Sequence, residues 1–272
     1  MNDGKKKLTV EKSVRRENRV AILENLPSRT AAENAELQGL YEKSSVFEEQ
    51  YDAALFSPEH AEFKRQHNQA FGKLVEYIQS KSDTAEPVNV FFLDGPDAAT
   101  TKSLLNDDET GIITIGQLFV ANRHESTCEV LRETYWASHP SNVVHNSAAD
   151  ALYNEFRHIP FGAFYFDGCG GHVPMILEMI EAALLSPVVI MKNETRITMS
   201  SSHRPMVMGF SIMGGGRDIV EKETSVVQAV VQLAKTRNLQ VRHVLDDPCH
   251  YGVDSSLSKL QGGTFTCWLV LE

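Results

Sequence analysis

The sequence predicts a doubly wound α/β domain with a helical N-terminal extension, and three observations carry that prediction. From residue 88 onward, short apolar runs alternate with helix-like stretches, the pattern of a mostly parallel sheet with right-handed crossovers. The runs are apolar at nearly every position, as strands covered on both faces must be. The last two runs are joined only by a loop, residues 246–263, so they are expected to pair as an antiparallel hairpin at one edge.

The elements follow in order. Residues 1–20 form a basic leader containing Lys5, Lys6, Lys7, Lys12, Arg15, Arg16 and Arg19. It reads either as a solvated, disordered segment or as an RNA arm or nuclear signal. Residues 21–86 read as a polar helical extension. Within it Ser57-Pro58-Glu59 marks a helix start, with serine as cap, proline in the first turn and an acid at the positive end of the dipole. That helix carries Phe63, Phe71, Leu74, Tyr77 and Ile78 on an apolar stripe, and residues 82–87 form a linker. His60 and His67, seven apart on it, read as an exposed face. The α/β domain occupies residues 87–272. Its strands are expected at 88–93, 112–120, 142–145, 162–166, 205–212, 239–245 and 264–271. Helices are expected at 98–105, 125–134, 148–156, 173–185 and 220–236. The apolar stretch 187–197 fits none of these units and reads as an extra strand inserted before the fifth.

Bulk properties narrow the function. The chain of 272 residues is 42% hydrophobic and 23% charged, with a formal net charge of −10. A surface that is acidic overall is not a nucleic-acid footprint, although the leader is a local exception. No apolar run approaches the roughly 20 residues that span a bilayer, and the polar start carries no secretory signal. A cytoplasmic or nuclear setting is the expectation. The four cysteines have no C-x-x-C pair and the ten histidines no pairing at i, i+4 around a glutamate, so no metal site is expected.

In an open α/β sheet, ligands bind beyond the carboxyl ends of the strands, where the strand order reverses. The residues just after each strand therefore hold the chemistry. The first strand is followed by Asp94-Gly95-Pro96-Asp97, the second by Asn122, and the third by Asn146-Ser147. After the fourth comes Asp167-Gly168-Cys169-Gly170-Gly171-His172, an acid followed by three glycines in four residues, which suits close approach of backbone to a ligand. After the fifth comes Gly214-Gly215-Gly216-Arg217.

Five strand–helix units closed by a hairpin resemble the class I S-adenosylmethionine-dependent methyltransferase fold over residues 88–272. The resemblance implies S-adenosylmethionine as cofactor and a helical extension that caps its site. It also implies that Asp94, Gly95 and Pro96 lie at the methionine end of the cofactor, with Asn122 at the ribose and Asn146 and Ser147 at the adenine. Asp167 and Gly168 fall at the reaction-side motif, where Asp167 would orient a substrate or the cofactor amine. His172 is then a general base and Arg217 a holder of an anionic or carbonyl group. The sequence departs from the family where Asp97 replaces the second glycine and Asn122 replaces the ribose acid, Glu125 being the runner-up. Each tip residue also has a plainer role: Thr100 or Thr101 capping the next helix, Asn146 or Ser147 capping the one after the third strand. The acceptor is left open between nucleic acid, protein and small molecule, as is the oligomeric state. Two further classes remain: a methyltransferase-like scaffold that no longer holds cofactor, and a P-loop phosphotransferase. For the latter, Gly95 to Ser103 matches G-x-x-x-x-G-K-[ST] poorly, with Thr100 in place of the second glycine and Lys102-Ser103 one residue late.

Overall fold

The computed structural model describes residues 58–81, 87–106, 113–167, 173–185, 188–192, 195–199, 205–213, 217–261 and 263–272, with short stretches between 19 and 40. Most of the leader, Ser57 and residues 82–86 of the expected linker lie outside the described residues, as do Gly168 to His172 and Gly214 to Gly216. Of the early extension, residues 31–37 are helical. They start from a reciprocal cap in which the Thr30 amide donates to the Glu33 carboxylate at 2.8 Å and the Glu33 amide to the Thr30 hydroxyl at 3.3 Å.

Helix α1 (Pro58–Lys81) leads into β1 (Asn89–Phe92), α2 (Ala99–Asn106), β2 (Leu118–Asn122), α3 (Glu125–Thr134), β3 (Val143–His145) and α4 (Ala148–Tyr153). Then come β4 (Phe161–Phe166), α5 (Val173–Leu185), β5 (Val188–Lys192), β6 (Thr195–Met199), β7 (Met206–Met213), α6 (Arg217–Thr236), β8 (Val241–His243), β9 (Leu260–Gln261) and β10 (Thr264–Leu271). The main sheet runs β3-β2-β1-β4-β7-β10-β8, with β9 appended to β10. Its first five strands are parallel, and β10 is antiparallel to both of its neighbours.

The last two long runs pair antiparallel at one edge of the sheet, as expected. β8 is the edge strand, and β10 lies between it and β7, pairing with β7 along its whole length and with β8 through Leu269 to Leu271. Every residue of β10 is buried, whereas β8 is only half-covered. A strand buried at every position takes partners on both sides, and a short polar one tolerates the edge. Two expectations change. The insertion is a separate two-stranded hairpin of β5 and β6, not one strand. The second strand begins later than expected because residues 115–117 form a 3₁₀ turn closed by Thr114 and Gln117. The Gln117 side-chain amide then reaches the Val88 carbonyl at 3.1 Å.

The alternation of the strands builds two cores. Phe91, Phe119, Phe164, Phe166, Phe210 and Leu269 face α4, α5 and α6, while Val90, Phe92, Val120, Tyr165, Val207 and Trp268 face α1, α2 and α3. On the second face, Trp268 stacks on Phe71 of α1 at 5.3 Å between ring centroids and lies 4.7 Å from Tyr165. Its six-membered ring occupies the space above Gly209, where an added Cβ would come within 2.0 Å of a ring carbon. Gly209→Ala is therefore expected to lower the unfolding free energy by about 3 kcal/mol through overpacking, read as a fall in the urea midpoint at unchanged slope. An unaltered midpoint would remove Trp268 from this position.

Candidate functional site

The strand order reverses at β1: β2 and β3 lie on one side, and β4, β7, β10 and β8 on the other. Crossovers on the two sides leave by opposite faces, which opens a crevice beyond the carboxyl ends of β1 and β4. The tips of β1 and β4 are neighbours, since Phe92 pairs with Tyr165 and the Leu93 amide donates to the Tyr165 carbonyl at 3.2 Å.

Asp94 emerges from β1 into this crevice and is buried. One carboxylate oxygen accepts the amides of Gly95 (3.1 Å) and Thr100 (3.4 Å), and the other accepts the amide (3.0 Å) and hydroxyl (2.6 Å) of Thr101. These four bonds occupy the acceptor positions a carboxylate offers. Thr100 and Thr101 thus do not cap α2; Asp94 caps it, and they are the capped residues. Burial pushes the Asp94 carboxyl up to about 6, against the opposing pull of those hydrogen bonds. The intervening turn is closed by the Ala98 amide on the Gly95 carbonyl at 3.0 Å. It leaves Ala98 at φ +50, a left-handed conformation that costs a residue with a Cβ on the order of 1 kcal/mol. Asp97, standing where a second glycine was wanted, points outward and is exposed.

Asn122, at the tip of β2, joins the neighbouring tips. Its side-chain amide donates to the Asp94 carbonyl at 2.9 Å, and its oxygen accepts the His124 amide at 2.8 Å. Ser147 caps α4, its hydroxyl accepting the Asp150 amide at 3.1 Å, and Asn146 reaches Glu155 at 3.0 Å. Glu125, the runner-up for the ribose, pairs with Arg132 at 3.0 Å and with His145 at 2.6 Å. Asp94, Gly95, Pro96, Asn122, Asn146, Ser147 and Asp167 all fall on the tips of β1 to β4 at one edge of the sheet. Gly168 and His172 lie outside the described residues. Arg217 opens α6, and its side chain is likewise outside them.

Helix α1 packs on the second face of the sheet and reaches the tip of β4 and the start of α2. Its inward stripe is apolar in the second half (Phe71, Leu74, Val75, Ile78) and mixed in the first, where buried Phe63, His67 and Asn68 lie beside the half-buried Lys64. The Lys64 ammonium meets the Asp167 carboxylate at 3.0 Å. The Thr100 hydroxyl donates to the Asn68 side-chain oxygen at 3.4 Å. His67 is fully buried, contrary to its reading as part of an exposed face. Its Nδ1 accepts the Trp268 indole N–H at 2.9 Å, which leaves Nε2 to donate to the Ser258 carbonyl at 3.0 Å. Burial holds this ring down to about 4. His60, one turn before Lys64, is held below its ordinary value by burial and by the Lys64 charge, with Asp167 working against both. The sequence reading missed Lys64, His67 and Asn68. They lie on the same helical repeat as Phe71, Leu74 and Ile78, and that repeat is the signal that would have found them.

A doubly wound sheet with five parallel strands, a penultimate edge strand and an antiparallel strand let in beside it settles the architecture. The fold is of the class I methyltransferase type. Among solved structures, the plantazolicin methyltransferase BpumL in complex with SAH aligns over 97% of this chain and 98% of its own, at 8% identity and a TM-score of 0.47. The plantazolicin methyltransferase BamL, with a triazolic desmethylPZN analog and SAH, aligns over 98% of each chain at 7% identity and a TM-score of 0.46. Phosphoethanolamine N-methyltransferase 1 of Haemonchus contortus, bound to phosphoethanolamine and S-adenosylhomocysteine, covers 91% of this chain with 48% of its own, at 12% identity and a TM-score of 0.35. No family model matches the chain, and no curated protein does. Among the described residues, no helix is long and apolar enough to cross a membrane, and no three His, Cys, Asp or Glu side chains cluster as metal ligands do.

Two outcomes follow from this geometry. Asp94→Ala strips the amides of Thr100 and Thr101 of their acceptors, and the loss expected in urea unfolding is about 3 kcal/mol. His67 has a folded-state value below that of the unfolded chain, near 6.5, so its contribution to stability is present above pH 6.5 and is lost as pH falls toward 4. Asp94 runs the other way, its contribution full below about 3.9 and lost as pH rises through 6. The two slopes oppose each other between pH 4 and 6. The difference in unfolding free energy between the wild type and His67→Gln is therefore expected to grow by about 3 kcal/mol from pH 4 to 6.5, and a flat difference would contradict the buried neutral ring.

Proposed function

We propose that the chain binds S-adenosylmethionine across the tips of β1 to β4 and transfers its methyl group to an acceptor lying under the N-terminal half of α1. The observation that carries this reading is the crevice at the β1–β4 reversal, covered by the half of α1 that carries Lys64, His67 and Asn68 beside Phe63, while its other half is plain core. A helix needed only for packing gains nothing by partly covering a lysine and burying an asparagine in that half.

The donor set suits that cofactor. The turn after β1 is held down by Asp94, so Gly95 and Pro96 present backbone at the mouth of the crevice. Asn122 fixes the spacing between the β1 and β2 tips, where a ribose would lie, and Asn146 and Ser147 flank the place of the purine. Asp167 faces the reaction side. When bound, the cofactor supplies a sulfonium carbon open to in-line displacement, for which alignment and exclusion of water give most of the acceleration. The residues of this chain accordingly hold and orient; a base is required only where the acceptor arrives protonated. The capping extension belongs to the same proposal.

One observation favours a second reading, a methyltransferase-like binding protein: the Asn122 oxygen that would receive a ribose hydroxyl already accepts the His124 amide. The phosphotransferase reading loses ground, because the buried Asp94 and the exposed Asp97 put negative charge at the start of α2, where phosphates would sit.

Calorimetry separates the three. The expected result is micromolar binding of S-adenosylmethionine and S-adenosylhomocysteine with no heat from ATP and magnesium. Absence of binding by all of them supports the binding protein, and binding of ATP alone the phosphotransferase. Donor labelled in its methyl group, incubated with cell extract fractionated into RNA, DNA, protein and metabolites, is expected to label one fraction and so identify the acceptor class.

A further inference from the structure

The ion pair between Lys64 and Asp167 is more than α1 needs to hold its place. The two side chains are 27% and 13% exposed, so the pair is largely withdrawn from water. The attraction between two such charges does not dependably exceed the cost of withdrawing them. His67, Phe71 and Trp268 already fasten the helix to the sheet. What the pair does achieve is to hold a primary amine in the crevice. The Lys64 nitrogen stands 3.0 Å from the carboxylate of Asp167, the first residue beyond β4.

Other nucleophilic side chains along the strand tips are committed elsewhere. The Thr101 hydroxyl donates to Asp94 and the Ser147 hydroxyl to Asp150, while the Tyr165 hydroxyl is buried against Ser211. Lys64 differs in two respects. An ammonium carries three hydrogens, so one can leave while another still anchors the nitrogen on Asp167. His60 also stands one turn earlier on α1, at the i, i+4 spacing that brings side chains together. Burial and the Lys64 charge hold that imidazole below its ordinary value, against the pull of Asp167. At neutral pH it is therefore an uncharged base beside the ammonium.

We propose that Lys64 is itself a methyl acceptor, modified by the donor bound in the crevice of the same chain, an inference that rests on the methyl-donor reading above. The Lys64 ammonium gives one proton to His60, directly or through one water, and a sulfonium charge close by favours the neutral amine. The nitrogen lone pair then forms the N–C bond as the C–S bond breaks, and the electron pair of that bond stays on the sulfur of S-adenosylhomocysteine. The nitrogen recovers its positive charge as a methylammonium, so Asp167 keeps its partner, and His60 releases its proton to solvent. Each transfer replaces one N–H. After a third none remains to donate to Asp167, and the charge alone is left to hold the first turns of α1 at the β4 tip.

The test incubates the full chain, without extract, with S-adenosylmethionine labelled in its methyl group. Mass spectrometry of the intact chain and its peptides is expected to find the label on Lys64. The first-order rate constant should not vary with protein concentration, because donor and acceptor sit in one chain. Lys64→Arg keeps a cation on Asp167 and is expected to abolish incorporation while S-adenosylhomocysteine still binds in calorimetry. His60→Gln should slow incorporation by about 100-fold, and urea midpoints show that both variants remain folded. A second readout needs no turnover: in competitive acetylation with trace acetic anhydride, S-adenosylhomocysteine should shield Lys64 and leave Lys73 and Lys81 of the same helix unaltered. Binding without label on Lys64, a rate that rises with protein concentration, or no shielding overturns the proposal and leaves the methyl-donor reading in place. An unaltered rate in His60→Gln removes His60 from the step. Absence of binding by the wild type overturns the methyl-donor reading and this modification with it.

Discussion

The indole N–H of Trp268 donates to His67, and with that bond an interior strand of the sheet, one in from its edge, takes hold of a helix that precedes the whole α/β domain. Two conditions make it possible. Gly209, opposite Trp268 on β7, leaves the ring its space, and burial keeps His67 neutral, its other nitrogen donating to the Ser258 carbonyl. With the helix fixed at this point, Phe71 and the apolar residues beyond it cover the sheet, and Lys64 and Asn68 are delivered to the tips of β4 and α2. The roof of the crevice is thus set by one buried polar contact inside an aromatic cluster, where an unpaired indole or imidazole would be costly.

The floor of the crevice follows from an equally local arrangement. Asp94 spends its whole acceptor capacity on the turn and on the first amides of α2, so the strand-to-helix corner is made with Gly95 alone and without a second glycine. The cost appears in Ala98, held at positive φ. Asn122 carries the constraint to the next strand through the Asp94 carbonyl. Asp94 and Asn122 therefore shape the site more than they offer free groups to it, and Asp167 with its lysine partner is left as the charged feature facing the crevice.

The sequence disclosed the architecture more fully than the site. Strands covered on both faces wrote themselves as unbroken apolar runs, and α3, α5 and β10 occupy the residues expected of them. Which of the last two strands takes the edge was hidden, because two strands joined by a loop look alike in either order. What decides it is burial, complete on β10 and partial on β8, and that is a property of partners. At the site, position along the strand marked Asp94, Asn122, Asn146 and Ser147 correctly as tip residues. Their roles as caps and cross-links depend on which amides come within reach, and spacing alone does not give that. His67 was misread because a histidine on a helix is commonly exposed, and its partners lie about 190 and 200 residues further along the chain. Lys64 was passed over for the same reason.

The interior position of β10 also orders events in time. β8 leaves the ribosome before β10, yet β10 is the strand it pairs with, and β7 likewise waits about 50 residues for its second neighbour. Such distant pairings are slow to form, because chain must be closed into large loops before any contact rewards the closure. Until β10 arrives, the edge of β7 is an open, apolar template for other chains. The same late strand brings Trp268 to His67, so the roof over the crevice is fastened only after the sheet beneath it is complete.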